Sequence, residues 1–326
     1  MHLREGANIL GLASPVVAVV GPTASGKSAL AQELALRLAG EVVGADSMQV
    51  YRGMDIGTGK LRPDERKVPH HGIDLCEPDT AYSAALYQSY ARECFRDIDS
   101  RCKRPVLCGG TGLYVRAALD GYEFPRGAHA DNPAREKYMR IAEEEGADAL
   151  WGMLDARDPE SAALIHPNNI RRVVRAFEML EEGKSYAQHN TQLQTIPQVV
   201  PAVFLGLAVE PSVLNARIDR RVDAMVEEGL VDEVAQLLAR GFRTHITAPQ
   251  AIGYKEIVGV LEGGAPLGEA VEKIKTATHR YAKRQRSWFR RDVRIHWLDA
   301  DSGDIEKLFP QASSVLAKMD VVLEEA

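Results

Sequence analysis

The residues with the clearest chemical meaning are GPTASGKS, from Gly21 to Ser28, which fit G-x-x-x-x-G-K-[ST] at every fixed position. Glycines let the backbone wrap so that successive N–H groups face phosphate oxygens, and the positive end of a following helix points to the same place. Lys27 adds a positive charge, and the Ser28 hydroxyl can hold Mg²⁺. The pattern predicts a site for a diphosphate or a triphosphate.

The loop alone does not indicate what happens to the phosphates. A P-loop NTPase usually has an Mg²⁺-holding Asp at the end of a second apolar strand. Here the apolar run PVLC, 105–108, ends in Gly109-Gly110-Thr111, and the sequence contains no N-K-x-D motif. The sequence therefore disfavours motor ATPases and GTPases. It leaves a kinase-like transferase, or an enzyme that uses the loop for some other diphosphate.

A carboxylate, Asp46, follows the apolar run EVVGA, 41–45. Ligands of open α/β sheets bind outside the carboxyl ends of the strands, where a carboxylate can accept a proton from an incoming nucleophile. Gln49 carries the donor and acceptor needed to read the edge of a base. The alternative role for Asp46 is a helix or turn cap. The glycine-rich segment 53–60 follows no apolar strand, and we expect it to form a mobile loop over the site.

The elements that would position these residues alternate between strand and helix. Short apolar, β-branched runs predict buried strands at 15–20, 41–45, 105–108, 203–209 and 294–298. Helical spacing of apolar residues predicts helices at 29–38, 82–98, 113–119, 212–240, 249–262, 267–291 and 303–324. Such alternation predicts an α/β fold of the P-loop NTPase type, a parallel sheet with helices on both faces.

The middle of the chain has a different pattern. Four charged, helical and strand-poor segments lie between 133 and 182, and the strand pattern resumes at 203. We therefore expect a mainly helical insertion domain at 122–200, and an α/β core domain formed by 1–121 and 201–326.

Composition narrows the class of protein. Of 326 residues, 45% are hydrophobic and 26% are charged, no apolar run reaches the roughly 18 residues of a spanning helix, and the start lacks the features of a secretory signal. We expect a cytoplasmic protein without membrane contact. The four cysteines lack zinc-like spacing.

The net charge of −6 argues weakly against nucleic acid, but residues 280–294 contain seven Lys or Arg and one acid. The aromatic residues Tyr281, Trp288 and Phe289 are interleaved with these charges. This segment predicts a local basic face for a polyanion, with its aromatic side chains directed inward.

Together these motifs resemble those of the IPP transferase family, the tRNA dimethylallyltransferases, in their bacterial form. The resemblance runs from about residue 15 to 298, in order through GPTASGKS (21–28), DSMQVY (46–51), GMDIGTGK (53–60), PHHGID (69–74), GGTGLY (109–114), IRRVVRAF (170–177), QAIGYKE (250–256) and YAKRQRSWF (281–289). Eukaryotic relatives can carry a C-terminal zinc finger, whereas no cysteine or histidine follows Asp299 here.

The resemblance implies that a dimethylallyl group passes from dimethylallyl diphosphate to N6 of the adenine immediately 3′ of the anticodon in tRNA, with help from Mg²⁺. Asp46 would accept the N6 proton, with Thr111 and Lys27 as further catalytic residues and Ser28 as the Mg²⁺ ligand. The diphosphate would be bound by Gly21, Pro22, Thr23, Ala24, Ser25, Gly26, Lys27, Ser28 and Arg217. We expect a monomer whose partners are dimethylallyl diphosphate and the anticodon stem-loop.

A base inside an anticodon loop must be unstacked before an enzyme can act on it. The resemblance implies that the tRNA is contacted by Asp46, Ser47, Met48, Gln49, Thr111, Arg135, Arg171, Arg172, Val173, Val174, Arg175, Gln250, Ala251, Ile252, Gly253, Tyr254 and Lys255. Two alternatives stay open: an adenylate isopentenyltransferase acting on free AMP, ADP or ATP, and a P-loop small-molecule kinase. The helical insertion and the basic segment favour tRNA, because a mononucleotide needs neither.

Overall fold

The computed structural model describes residues 7–124, 132–194, 196–242 and 248–321. These residues form one six-stranded sheet in which every pairing is parallel, in the order β3-β2-β4-β1-β5-β6. The strands are β1 Val16–Val20, β2 Glu41–Gly44, β3 His70–His71, β4 Pro105–Gly109, β5 Ala202–Ala208 and β6 Ile295–Asp299. The predicted parallel α/β class is confirmed.

Thirteen α-helices lie in the same described ranges. They are α1 Lys27–Arg37, α2 Ala84–Ser100, α3 Gly112–Leu119, α4 Pro133–Glu144, α5 Ala147–Arg157, α6 Pro159–Ala163, α7 Ile170–Glu181, α8 Tyr186–Gln194, α9 Pro211–Glu227, α10 Leu230–Ala239, α11 Tyr254–Gly263, α12 Leu267–Phe289 and α13 Ile305–Lys318. Within residues 7–124, 132–194, 196–242 and 248–321, none of these helices combines the length and apolar character that crossing a membrane requires.

The central strand β1 explains the position of the phosphate loop. All five of its residues are fully buried, as expected of a parallel strand covered on both faces. Its Ala18 lies opposite Leu107 of β4 on one side and Phe204 of β5 on the other. Because β1, β2 and β4 run in the same direction, the loops that follow them emerge at one edge of the sheet. That edge carries the loop motif, Asp46 and Thr111.

Three elements differ from the sequence-based expectation. The helix predicted at 212–240 is two helices, α9 and α10, separated at Gly229, whose φ of 106° belongs to the left-handed region. Strand β3 has only two residues, too few to show any alternation. Helix α8 was not predicted, because its sequence is mostly polar.

The chain divides into two compact units, one formed by residues 1–120 with 198–326 and the other by 121–197. The second unit is helical and has its own apolar core, which includes Leu150, Leu154 and Val173. In that core the rings of Tyr138 and Phe177 stack with centroids 4.0 Å apart.

The chain leaves and re-enters the first unit at adjacent points. Asp120 and Gln198 form an antiparallel bridge, and the carboxylate of Asp120 is fully buried. Arg294 Nη1 donates to Asp120 Oδ1 over 2.6 Å, and Arg116 Nε donates to Asp120 Oδ2 over 2.8 Å. A buried carboxylate requires such partners. Arg294, part of the basic segment in the sequence, is therefore occupied here.

Candidate active site

The phosphate loop joins β1 to α1. Ala24 and Gly26 have φ values of 59° and 93°, so the backbone turns through left-handed conformations just before the helix. Ser25 Oγ and Lys27 Nζ both donate to the carbonyl of Pro22, over 2.8 and 2.6 Å. The N–H groups of residues 24–28 have no hydrogen-bond partner within the described part of the chain. The loop thus presents a nest of free donors at the positive end of α1, which suits a bound anion.

The lysine of the loop is in an unusual electrostatic state. The pKa of the Lys27 ammonium is lowered to about 8, mainly by burial and also by the positive charge of Arg221, while Cys108 and Asp46 act in the opposite direction. A diphosphate in the nest would favour the charged ammonium. The site therefore favours a ligand that carries several negative charges.

Asp46 and Thr111 meet where β2 and β4 end. Asp46 Oδ1 accepts a hydrogen bond from the Met48 N–H over 2.9 Å, so the carboxylate does form a turn cap. Its Oδ2 accepts no hydrogen bond from the described residues. Thr111 Oγ1 accepts from the Ser47 N–H over 3.1 Å, and the Thr111 N–H donates to Ala45 O over 3.2 Å. Thr111 thus holds the backbone that carries Asp46.

A small cavity, here called the inner cavity, opens beside the phosphate loop. Its volume is about 90 Å³, and its walls are mostly polar. Its lining includes Thr23, Lys27, Ser28, Asp46, Gln49, Thr58, His70 and Arg221. The loop residues, the carboxylate and a second cation thus face one space.

A larger cavity of about 300 Å³, here called the outer cavity, shares Thr23, Asp46, Thr58 and Arg221 with the inner one. The rest of its lining is more apolar and includes Met48, Ile218, Met225, Ile252, Tyr254 and Tyr281. Burial and the negative charge of Asp46 raise the pKa of Tyr281 to about 12, so its phenol stays neutral. A flat, largely apolar group suits this cavity.

The predicted tRNA contacts near the sheet fall in three positions. Asp46, Ser47, Met48 and residues 250–254 line the outer cavity. Gln49 lines the inner cavity, and its Nε2 donates to the carbonyls of Thr58 and Gly59 over 3.1 and 3.3 Å. Its donor is therefore satisfied within the protein. Lys255 is exposed outside both cavities and pairs with Glu256 over 3.5 Å.

Arg217, expected to bind the diphosphate, lies elsewhere. Its guanidinium donates to the carbonyls of Ala300 and Asp301, and it lines neither of the two cavities. Arg221, one helical turn later on α9, lines both cavities. One turn is about 5.4 Å along the helix, which is enough to separate the two positions. The family resemblance selected Arg217 over its neighbour Arg221, but helical spacing by itself does not show which of two arginines one turn apart reaches the cavity.

The arginines expected to contact tRNA in the helical unit differ in whether their side chains form ion pairs within the protein. Arg135 and Arg175 each form an ion pair of 2.8 Å with Glu178, whose side chain is only 2% exposed. Arg171 and Arg172 are exposed. The side chains of Val173 and Val174 are buried in the core of the unit and cannot reach an RNA. They belong to the motif because they pack.

One residue that the sequence analysis missed is Glu233, on α10. Its carboxylate accepts from the N–H groups of Asp55, Ile56 and Gly57 over 2.9, 2.7 and 3.2 Å. The Tyr254 hydroxyl also donates to it, over 2.5 Å. The loop 53–60, expected to be mobile, is thus tied to α10 and α11. No local pattern marks Glu233, because its partners lie up to 178 residues away in sequence.

The aromatic residues of the basic segment do not all point inward. Phe289 is buried and Tyr281 lines the outer cavity, but Trp288 is 39% exposed. A Cβ on Gly112 would collide with the Trp288 indole, so the close approach of α12 to α3 requires glycine there.

The adjacent histidines have different surroundings. His71 Nε2 lies 2.7 Å from Glu41 Oε2. His70 lines the inner cavity with its buried Nε2 unpartnered, and burial lowers its pKa to about 4. No cluster of three or more His, Cys, Asp or Glu in the described ranges could hold a metal. Mg²⁺, however, is usually held by one or two protein oxygens together with substrate phosphates and water. Ser28 beside Asp46 in the inner cavity fits that manner of binding.

Comparisons with known proteins identify the family of the chain. A family profile described as IPP transferase matches residues 49–292, and one described as Isopentenyl transferase matches residues 14–70. The tRNA dimethylallyltransferase of Carboxydothermus hydrogenoformans is 45% identical over 300 residues, covering 91% of this chain and 96% of that protein.

Solved structures give the same result. The tRNA isopentenylpyrophosphate transferase of Bacillus halodurans has a TM-score of 0.67 at 42% identity, covering 94% of this chain and 97% of that chain. A eukaryotic dimethylallyltransferase, captured in crystallographic snapshots acting on tRNA, has a TM-score of 0.76 at 30% identity, covering 96% of this chain and 81% of that chain. The membership predicted from the motifs is confirmed: the chain belongs to the IPP transferase family.

Proposed function

We propose that this protein transfers a dimethylallyl group from dimethylallyl diphosphate to N6 of the adenine immediately 3′ of the anticodon in tRNA, and releases diphosphate. One observation carries the proposal: Lys27 and Ser28 of the phosphate loop line the same small cavity as Asp46, and that cavity shares lining residues with a larger, more apolar one. A group that binds a leaving diphosphate and a group that accepts a proton are thus adjacent.

In this proposal the inner cavity receives the diphosphate. The N–H groups of residues 24–28, the Lys27 ammonium and the Arg221 guanidinium supply hydrogen bonds and positive charge. Arg221 takes the role that the sequence assigned to Arg217. Donors that are fixed before the reaction stabilise charge that develops in the transition state, often by several kcal/mol.

Prenyl diphosphate transferases typically need a divalent metal, and we propose that the metal here is Mg²⁺. The Ser28 hydroxyl would hold it beside the diphosphate oxygens. When bound, the ion would neutralise negative charge on the leaving diphosphate.

The outer cavity receives the adenine, with N6 directed toward Asp46. As the bond between N6 and the first allylic carbon forms, the bond from that carbon to the diphosphate oxygen breaks. The electron pair of the broken bond leaves with the diphosphate, and the N6 proton passes to Asp46. Thr111 keeps Asp46 in place through the Ser47 N–H.

We further propose that the helical unit and the basic segment of α12 bind the tRNA phosphates. The exposed guanidinium groups of Arg171 and Arg172 support this role, because they carry no ion pair in the described part of the chain. Each phosphate contact would add salt dependence to the affinity. As tRNA is the substrate, we assign the protein to the cytoplasm.

The test uses labelled dimethylallyl diphosphate with an unmodified tRNA or with AMP. We expect label on the tRNA, at the adenine 3′ of the anticodon, and none on AMP. Label on AMP alone would identify an adenylate isopentenyltransferase and overturn the proposal. Transfer of phosphate from ATP to a small molecule would instead favour the kinase.

A further inference from the structure

Gln285 is a polar residue near the C-terminal end of α12 that no chemical step described above uses. Its side chain is only 5% exposed. Oε1 accepts a hydrogen bond from the Thr23 N–H over 2.8 Å, and Nε2 donates to the Gly110 carbonyl over 2.9 Å. One amide group therefore connects the loop after β1 with the loop after β4.

The side-chain amide of Gln285 packs closely against the backbone of Gly110. A Cβ on Gly110 would collide with Gln285 Nε2, so the glycine is required by the contact. Gly110 is followed in the chain by Thr111, which holds the backbone next to Asp46. The contact between Gln285 and Gly110 therefore lies one residue from that support.

The bond to Thr23 also changes what the phosphate loop can bind. Since Gln285 occupies the Thr23 N–H, the free amides of the loop begin at Ala24. In a P-loop NTPase the backbone of the loop and its lysine cradle the last two phosphates of a triphosphate. Here one donor at the start of the loop is removed from the set available to an anion.

We propose that Gln285 is a positioning residue with two effects. It holds the phosphate loop and the Gly110–Thr111 loop at a fixed separation, and it confines the anion nest to a diphosphate by occupying the Thr23 amide. The inference rests on the proposed function, in which the ligand of the loop is a leaving diphosphate.

Gln285→Met tests the proposal, because methionine has a similar length and shape but neither donates nor accepts a normal hydrogen bond. Calorimetry with inorganic diphosphate and inorganic triphosphate measures binding without any reaction. We expect the dissociation constant for diphosphate to rise about 10-fold or more, because the phosphate loop loses the hydrogen bonds that fix its position before the ligand binds. The preference for diphosphate over triphosphate should fall about fivefold, because the Thr23 N–H becomes free.

A matched control is Gln311→Met on α13. Gln311 also bridges two backbone groups, accepting from the Asp299 N–H over 2.9 Å and donating to the Asp299 carbonyl over 3.0 Å. It lines neither the inner nor the outer cavity. Both dissociation constants should stay within about twofold of wild type in this variant.

Kinetics separate positioning from a general loss of structure. In Gln285→Met the KM for dimethylallyl diphosphate should rise and kcat should fall, while the KM for tRNA stays within about threefold. If that variant does not fold, Gln285→Glu replaces it. The carboxylate still accepts from Thr23, but it repels the Gly110 carbonyl and the diphosphate, so diphosphate binding should again weaken at least 10-fold.

The possible outcomes are distinguishable. Failure of the wild-type protein to bind inorganic diphosphate would overturn the proposed function itself. A folded Gln285→Met or Gln285→Glu protein could instead bind diphosphate and triphosphate with dissociation constants within twofold of wild type. That result would overturn only the role of Gln285. Hydrogen exchange of the peptide 21–28 gives a direct check, because the Thr23 amide should exchange faster in Gln285→Met.

Discussion

The contact between Glu233 and the glycine-rich loop provides a strong test of how the site is built. Glu233→Gln keeps the size of the side chain but replaces one carboxylate oxygen with an NH₂ group and removes the charge. The carboxylate accepts four hydrogen bonds, three from backbone N–H groups and one from Tyr254. In the variant, the NH₂ group must face at least one of these donors, so that bonds are lost and two donors oppose each other.

The magnitude follows from those contacts. A hydrogen bond to a charged group contributes about 1.5–3 kcal/mol, so losing the two bonds that one carboxylate oxygen accepts should cost about 3–6 kcal/mol. For a unit of this size, 1 kcal/mol corresponds to about 2–4 °C in Tm. We therefore expect Glu233→Gln to melt at least 4 °C below wild type. The KM for dimethylallyl diphosphate should also rise several-fold, because Thr58 and Gly59 of the loop line the inner cavity.

The assay is thermal melting followed by circular dichroism, together with steady-state kinetics. The control is Glu227→Gln, which removes the same charge from an exposed position in the last turn of α9. We expect that control to melt within about 1 °C of wild type. If Glu233→Gln behaved like Glu227→Gln in both measurements, the loop would not depend on this carboxylate and the reasoning would be refuted.

Three further predictions concern other residues. Asp46→Ala should lower turnover about 10²–10⁴-fold and leave tRNA affinity within a few-fold; near-normal turnover would mean that another group takes the proton. Arg221→Ala should raise the KM for dimethylallyl diphosphate about 10-fold while Arg217→Ala changes it less than threefold, and the reverse order would restore the expectation from sequence. Arg101, Lys103 and His71 hold the pKa of Glu41 well below its ordinary value, so Glu41 stabilises the fold above the ordinary carboxyl pKa and that stability is lost as pH falls. In urea unfolding from pH 7 to pH 3, the free energy of unfolding of Glu41→Gln should therefore fall less with decreasing pH than that of wild type.

The parts of the site that could be predicted from sequence are those made by contiguous residues. A buried strand, a glycine loop and a helix follow one another at 16–37, so the pattern contains both the motif and its context. Asp46 is similar, because a strand end fixes its place. Arg217 and Arg221 show the limit of this reasoning, since both lie on one helix and only the packing of α9 decides which one reaches the cavity.

The supports of the site could not be predicted, for a physical reason. Gln285 bonds to a residue 262 positions away, and Glu233 to one 178 positions away. Each acts through a single side chain, and nothing in the local spacing distinguishes it from other polar residues on the same helix. Val173 and Val174 show the converse case, because a motif recognised in sequence can include residues whose role is only to pack.

The bridge between Asp120 and Gln198 has a consequence for how this architecture can vary. Because the chain leaves and re-enters the α/β unit at adjacent residues, residues 121–197 span no more distance in that unit than a tight turn would. The helical unit could therefore be lengthened, exchanged with that of a relative or replaced by a few glycines without altering the order of the strands in the sheet. The ion pairs next to this point, from Arg116 and Arg294 to Asp120, lie entirely within the α/β unit. An excised version should therefore still fold and bind diphosphate.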